Sequence, residues 1–245
     1  MRSITVIWFM KIDILTIFPE MFDGPLTESL IGKARRKKIL NINIVDIRSF
    51  SKDKHKKVDD KPFGGGGGMV MAAPPLYEAI KSALAGKSSR SCKNPYNKPL
   101  VVYMSPQGKR LDSDMVKELA AFKHLVILCG HYEGVDERIM NFVDEEISIG
   151  DYVLTGGEIP AMVLVDSVAR MIPGVVRKEE SVKNDSFFNG FLDYPHYTRP
   201  AVFKKLKVPE VLLSGDHKKI ERWRIKEAAE RTKKRRPDLL KKHKV

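Results

Sequence analysis

Asp185 and Arg170 are the candidate reactive pair of this chain: a carboxylate suited to acid–base work and a guanidinium suited to holding an anionic oxygen. Arg170 closes the apolar run Ile159–Ile172, where an arginine must find a partner or reach water. Asp185 lies in Asn184-Asp185-Ser186-Phe187-Phe188, inside a stretch of Gly, Pro, Asn and Asp. Each has a plainer account. Asp185 could cap a helix N-terminus, and Arg170 could complement the C-terminal end of its helix. On spacing alone the plainer accounts are the stronger. His131, His196 and Asp166 are open in the same way, as two turn residues and a polar group on an apolar helix. The two cysteines, Cys92 and Cys129, form no CxxC pair and cannot make a disulfide framework. No metal-ligand spacing is visible, and a reducing, cytoplasmic setting is expected.

Glycine supplies the loudest local signal. Gly64–Gly68 allows a close backbone approach to a ligand or to another chain. It is not a Walker A loop, because no Gly-Lys-Ser/Thr follows, and it lacks the acidic residue of a dinucleotide-binding βαβ unit. Three more turns follow predicted strands: Ser105-Pro106-Gln107-Gly108, Gly130-His131-Tyr132-Glu133-Gly134, and the segment from Gly150 to Glu158. In a parallel sheet, ligands bind beyond the carboxyl ends of the strands. Three such turns there favour a small-molecule pocket, with bare backbone as its polar surface and Tyr, Leu and Ile as its walls.

The elements that would hold these turns alternate. Strands are predicted at Ile12–Phe18, Ile42–Ile47, Leu100–Met104, Leu125–Cys129 and Glu146–Ile149. Helices are predicted from Pro19 to about Lys38, and at Ala73–Ala85, Ser113–His124, Glu133–Phe142 and Ile159–Ile172. Residues 49–68 and 86–99 read as loops. Strands alternating with helices imply a buried, mostly parallel sheet. The apolar runs are too short to span a bilayer.

Charge divides the chain. Residues 199–245 carry 17 Lys/Arg against 6 Asp/Glu, whereas residues 1–198 carry 27 against 25. A basic module on a nearly neutral body points to a polyanion partner, most simply nucleic acid. In Lys218–Arg235, the residues Ile220, Trp223, Ile225, Ala228 and Ala229 fall near helical spacing, with basic residues on the other faces. A packed basic helix is expected there rather than a loose tail.

Several strings coincide in order: Ile17-Phe18-Pro19-Glu20-Met21-Phe22, Asp59-Asp60-Lys61-Pro62-Phe63-Gly64-Gly65-Gly66, and Tyr103-Met104-Ser105-Pro106-Gln107-Gly108. They continue with Cys129-Gly130-His131-Tyr132-Glu133-Gly134, Gly150-Asp151-Tyr152-Val153-Leu154-Thr155-Gly156-Gly157-Glu158, and Pro195-His196-Tyr197-Thr198-Arg199-Pro200. From about Lys11 to Leu240 the chain resembles the bacterial tRNA (guanine-N1)-methyltransferases of the TrmD family, in the SPOUT superfamily. Three departures stand out. Residues 1–10 precede the usual start, residues 86–99 look longer than the common pattern, and the chain stops earlier than many relatives.

The resemblance implies a SPOUT-type α/β fold. A deep trefoil-knotted parallel-sheet domain spans residues 1–172, with 1–10 as an N-terminal extension. Residues 173–198 form a linker, and a small, mainly α-helical, basic domain for tRNA covers 199–245. Without the resemblance, the rarity of knots would favour an open doubly wound sheet. By the same resemblance the methyl donor is S-adenosylmethionine, bound by Tyr103, Met104 and Pro106 on the first turn and by Gly130 and Glu133 on the second. Ile149, Gly150, Asp151, Tyr152, Val153, Leu154, Gly156, Gly157 and Pro160 bind it on the third. Asp185 becomes the base at guanine N1, and Arg170 the group at O6. The RNA contacts expected are Lys218, Lys219, Arg222, Arg224, Arg231, Lys233, Lys234, Arg235 and Arg236. Family members are homodimers with shared active sites, and a divalent ion such as Mg2+ is expected. A non-catalytic RNA-binding protein of the same fold would lack the Asp–Arg pair. A ribose methyltransferase would need no base at N1.

Overall fold

The computed structural model describes residues 9–85, 94–177 and 182–242. The proposed extension, apart from its last residues, and most of the 86–99 loop lie outside them. Contacts group the chain into two compact units, residues 1–177 and 178–245.

The first unit is built on a five-stranded parallel sheet. Its strands are β1 Met10–Thr16, β2 Leu40–Asp46, β5 Leu100–Arg110, β6 His124–Cys129 and β7 Glu145–Ser148. They lie in the order β2-β1-β6-β5-β7. Short β3 Asp59–Asp60 and β4 Val70–Met71 pair with each other outside it. β6 lies at the centre, and every residue in it is buried. That explains its unbroken apolar run, because a strand covered on both faces needs no polar alternation. Leu125, Ile127 and Cys129 join one core with α4 Glu158–Met171. Val126 and Leu128 join a second core with α2 Ala73–Leu84. α4 buries Ala161, Leu164, Val165, Val168 and Ala169, the i, i+3, i+4, i+7 face expected of a helix laid on a sheet.

Three predicted helices shrink. Between Pro19 and Lys38 the chain makes one 3-10 turn, Pro19–Phe22, and then α1 Ser29–Arg36. Gly24, at φ +89°, interrupts them. The third helix, α3 Ser113–Leu119, ends early because His124 belongs to β6. Glu133–Phe142 is not an α-helix: Gly134 has φ +126° and only Glu137–Phe142 winds, as a 3-10 helix.

In the second unit, β8 Val202–Phe203 and β9 Leu206–Lys207 form a hairpin. It precedes α5 Glu210–Leu213, α6 His217–Arg235 and α7 Pro237–Lys242. Asp216 caps α6 by accepting from the Lys219 amide at 3.0 Å. Residues 182–198, expected as linker, belong to this unit. The Leu192 amide donates to the hydroxyl of Thr232 on α6 at 2.8 Å. Ile225, expected on the packed face of α6, is 63% exposed, because its position faces away from Ile220 and Trp223.

Candidate active site

The three glycine-bearing turns of the first unit meet at one end of the sheet. β5 leaves the ladder after Met104, and both Met104 and Lys109 pair with Ile147. Ser105–Gly108 is therefore looped out of the strand. A Cβ on Gly108 would lie 2.4 Å or less from the backbone of Glu146 and Ile147, so this return needs glycine. Gly130 passes under the ring of Tyr103, where a Cβ would sit 2.7 Å from Oη. The third turn comes back against the second: the Gly157 amide donates to Gly130 O at 2.7 Å, and His131 bridges to Gly156.

These turns enclose a cavity of about 360 Å³, within the range of small-ligand pockets. Of the positions expected to bind the methyl donor, all but Asp151 line it. Its charge is one-sided. Glu133, Glu137 and Glu146 stand in the wall, and among the described residues no Lys or Arg does, although the chain carries +13 overall. Tyr103 is pushed up to about 12 by burial and by the charge of Glu146, so its phenol stays protonated and neutral. The cavity thus offers backbone amides and carbonyls, aromatic and aliphatic walls, and negative charge. It fits a ligand with a flat polar ring and a positive centre.

The glycine run reaches this rim. A Cβ added at Gly64, Gly65, Gly66 or Gly67 would meet nothing within 4 Å, whereas one at Gly68 would run into the Glu133 side chain. Beyond it, Met69 O accepts from the Glu133 amide at 3.0 Å and Met71 N donates to Gly134 O at 2.9 Å. The run is therefore an open arc fastened at one end to the second turn of the cavity. Phe63, which precedes it, is fully exposed.

Behind the third turn lies a carboxylate that sequence reasoning did not single out. Glu158, first residue of α4, is 1% exposed. Its Oε1 accepts from Thr16 Oγ1 at 2.8 Å, and its Oε2 lies 4.0 Å from His131 Nδ1. Burial, and then the charge of Glu158, raise the thiol of Cys129 well above its ordinary value and keep it protonated.

Arg170 occupies the last turn of α4 and is half-buried. Asp185 belongs to the second unit and is also half-buried. Its amide donates to Val182 O at 3.2 Å, and its carbonyl accepts from Phe188 N at 3.3 Å. It caps no helix of the second unit that follows it among the described residues. Asp166 is exposed on α4. His196 pairs with Asp193 at 2.7 Å.

Of the basic positions, Lys218, Lys219, Arg222, Lys233, Lys234 and Arg235 are exposed on α6. Arg224, Arg231 and Arg236 are half-buried. Arg224 lies over the Tyr194 ring at 5.0 Å, and Arg236 grips Asp238 through two nitrogens, at 2.9 and 2.7 Å. Arg236 also lies over the Phe187 ring at 5.7 Å, so both arginines touch aromatic rings of the 182–198 segment as well as adding charge. Among the described residues, no group of three or more His, Cys, Asp or Glu could hold a metal ion, and no helix is long and apolar enough to cross a membrane.

The family model described as tRNA (Guanine-1)-methyltransferase TrmD matches residues 10–242. The chain is 74% identical over 233 residues to the tRNA (guanine-N(1)-)-methyltransferase of Endomicrobium trichonymphae, covering 95% of this chain and 100% of that one. It is 56% identical to the protein of the same name from Ruminiclostridium cellulolyticum, over 95% of this chain and 97% of the relative. With that from Moorella thermoacetica it shares 54%, over 94% and 90%.

Proposed function

The chain belongs to the TrmD family of tRNA (guanine-N1)-methyltransferases, and we propose that it transfers a methyl group from S-adenosylmethionine to N1 of the guanosine immediately 3′ of the anticodon. The observation that carries the placement of the donor is the charge of the cavity. A site walled by Glu133, Glu137 and Glu146, without Lys or Arg among the described residues, suits a sulfonium on a nucleoside and repels a phosphorylated cofactor. Glycine turns that expose bare backbone suit the adenine edge. The donor, when bound, supplies an electrophilic methyl carbon.

The chain's own residues must then prepare the acceptor. Guanine N1 bears a proton, and its electrons are shared with the O6 carbonyl, so it is a poor nucleophile. Removing the proton places negative charge on N1 and O6. Asp185 takes the proton as general base, a contribution of about 10²–10⁴-fold. Arg170 steadies the charge on O6, worth about 3–4 kcal/mol for one well-placed donor. N1 then attacks the methyl carbon in line, and the carbon–sulfur bond breaks as the carbon–nitrogen bond forms.

The RNA is held by the second unit. Lys218, Lys219 and Arg222 on the first turns of α6, and Lys233, Lys234 and Arg235 on its last, present exposed charge to the phosphates of the anticodon stem-loop. The target base leaves the loop stack to reach the site. Two copies of the chain share each active site in this reading, with Asp185 coming from the neighbour of the subunit that holds the donor. Exposed Ile159 and Val163, one turn apart on α4, support an apolar contact with a second copy. A deep trefoil knot belongs to the same reading. A division into a donor domain and a basic domain is supported by the grouping of contacts into two units, with residues 182–198 grouped in the second. Its work is placed in the cytoplasm with its tRNA. The divalent ion expected of the family is assigned no residue here.

The test is methylation of an unmodified tRNA transcript with guanosine, inosine or adenosine at the target. Guanosine and inosine share N1–H and O6 and should both accept methyl, while adenosine should not. Equal labelling of all three would point to ribose and end this reading.

A further inference from the structure

Among the described residues Glu158 is the most deeply buried carboxylate near the cavity, and nothing in the proton-transfer chemistry above uses it. It is 1% exposed. Taking a carboxylate out of water is costly unless partners compensate it. Its compensation is thin: the Thr16 hydroxyl at 2.8 Å, and its place in the first turn of α4, where the helix dipole favours negative charge. His131 Nδ1, at 4.0 Å, is beyond hydrogen-bond reach and is itself buried without a partner. The carboxylate lies directly behind the cavity wall. Gly156 lines the cavity, and a Cβ built on it would come within 2.4 Å of Glu158 Oε2 and 2.5 Å of His131 Nδ1. The absence of a side chain at Gly156 is what lets this charge approach the ligand space.

Glu133, Glu137 and Glu146 also face the cavity, but they are exposed or half-buried, and water and salt screen them. A buried charge is screened far less.

We propose that Glu158 is a specificity-determining residue for the methyl donor: its buried negative charge favours the sulfonium-bearing donor over the uncharged thioether product left after transfer. The site therefore exchanges product for fresh donor without relying on size, since the two differ by one methyl group and one charge. The proposal rests on placing the donor in this cavity.

The experiment measures the dissociation constants of S-adenosylmethionine and S-adenosylhomocysteine for the full chain by calorimetry. In Glu158→Gln, which keeps an oxygen for Thr16, the product-to-donor ratio of Kd is expected to fall about 5–10-fold, and tenfold corresponds to about 1.4 kcal/mol. The product's own Kd should change little. A second variant, Glu158→Met with Thr16→Val, replaces both polar partners by apolar groups of similar size and leaves no orphan; it should show the same loss. Glu158→Asp, which keeps the charge, should keep most of the preference. Leu154→Arg, at an exposed position of the wall, tests the placement, and should weaken both ligands more than about tenfold because its longer side chain fills space in the cavity, with added repulsion of the donor's sulfonium. If Leu154→Arg binds both as the native chain does, the cavity is not the donor site and the proposal falls with that reading. If it loses binding while the Glu158 variants keep the native ratio, this proposal alone is overturned.

Discussion

The hydroxyl of Thr232 accepts a hydrogen bond from the backbone amide of Leu192 at 2.8 Å, and it donates to Ala228 O at 2.7 Å. Thr232 is fully buried, so this hydroxyl ties the 182–193 segment to the last turn of α6. That segment carries Asp185 and is braced internally by Phe187 N–Phe191 O at 2.7 Å and Asp193 N–Ser186 Oγ at 2.9 Å. The segment carrying the residue proposed as base is therefore hydrogen-bonded to the helix proposed to hold RNA.

Thr232→Val should expose the cost of that link. It keeps the shape but removes the acceptor of the half-buried Leu192 amide, a loss of about 0.5–1.5 kcal/mol. Urea unfolding should show the loss, and Thr232→Ser, which keeps the hydroxyl, should recover most of it. Equal stability of the Val variant and the native chain would show that the amide finds another partner.

Asp185→Asn should leave both substrates bound while methyl transfer falls by about 10²–10⁴-fold, the ordinary worth of a general base. Single-turnover rates on pre-bound tRNA isolate that step from binding. Rates within about threefold of native would remove Asp185 from the chemistry. Arg170→Lys should fall by less than Arg170→Ala, because a cation remains for O6 while the planar fork is lost.

Local pattern was a good guide where one residue's burial follows from its neighbours' types. The unbroken apolar run of β6 and the apolar helix Ile159–Ile172 were both visible in the sequence, and each is found within one residue of its expected bounds. The turns that line the cavity were visible as glycine after strand. What stayed hidden depends on distant partners. Nothing near Glu158 announces that Thr16, 142 residues away, receives it. The excursion Ser105–Gly108 inside β5 reads as a strand end, because only the pairing of Lys109 with Ile147 resumes the ladder. Ile225 looked buried because apolar spacing was counted without an axis; on the helix it turns to water.

The exposed and half-buried cations of α6 should separate in a salt titration. Lys218→Glu with Arg222→Glu alters two exposed residues one turn apart. tRNA affinity should drop, and the slope of log Kd against log salt should flatten by about 1.5, from about 0.7–0.9 per lost phosphate contact. Arg224→Ala should act otherwise. Its guanidinium lies over Tyr194, so the loss should appear as lower stability with a smaller change in slope. The same slope change in both would mean that Arg224 reaches a phosphate in the complex.

Asp13, in the middle of β1 and beside His124 at the start of β6, gives the fold a sensitivity to acid away from the cavity turns. It is 1% exposed, and His124 Nε2 lies 2.7 Å from its Oδ2, while Asn43 donates to Oδ1 at 3.2 Å. Burial alone would raise its carboxyl, but hydrogen bonds from His124, Lys11 and Asn43, with the charge of Lys11, outweigh that and hold it below its ordinary 3.8. A folded value below the unfolded one means that the stabilisation is complete above 3.8 and is lost as pH falls through the lower folded value. Asp13→Asn removes the titrating group. It should be less stable at neutral pH by about 1.5–3 kcal/mol, the worth of a hydrogen bond to a charged group, yet its stability should fall less steeply below about pH 4. Urea unfolding at intervals between about pH 3 and 7 compares the two slopes, with the native chain converging on the variant at the acid end. Parallel curves over that window would place the acid sensitivity in other carboxylates.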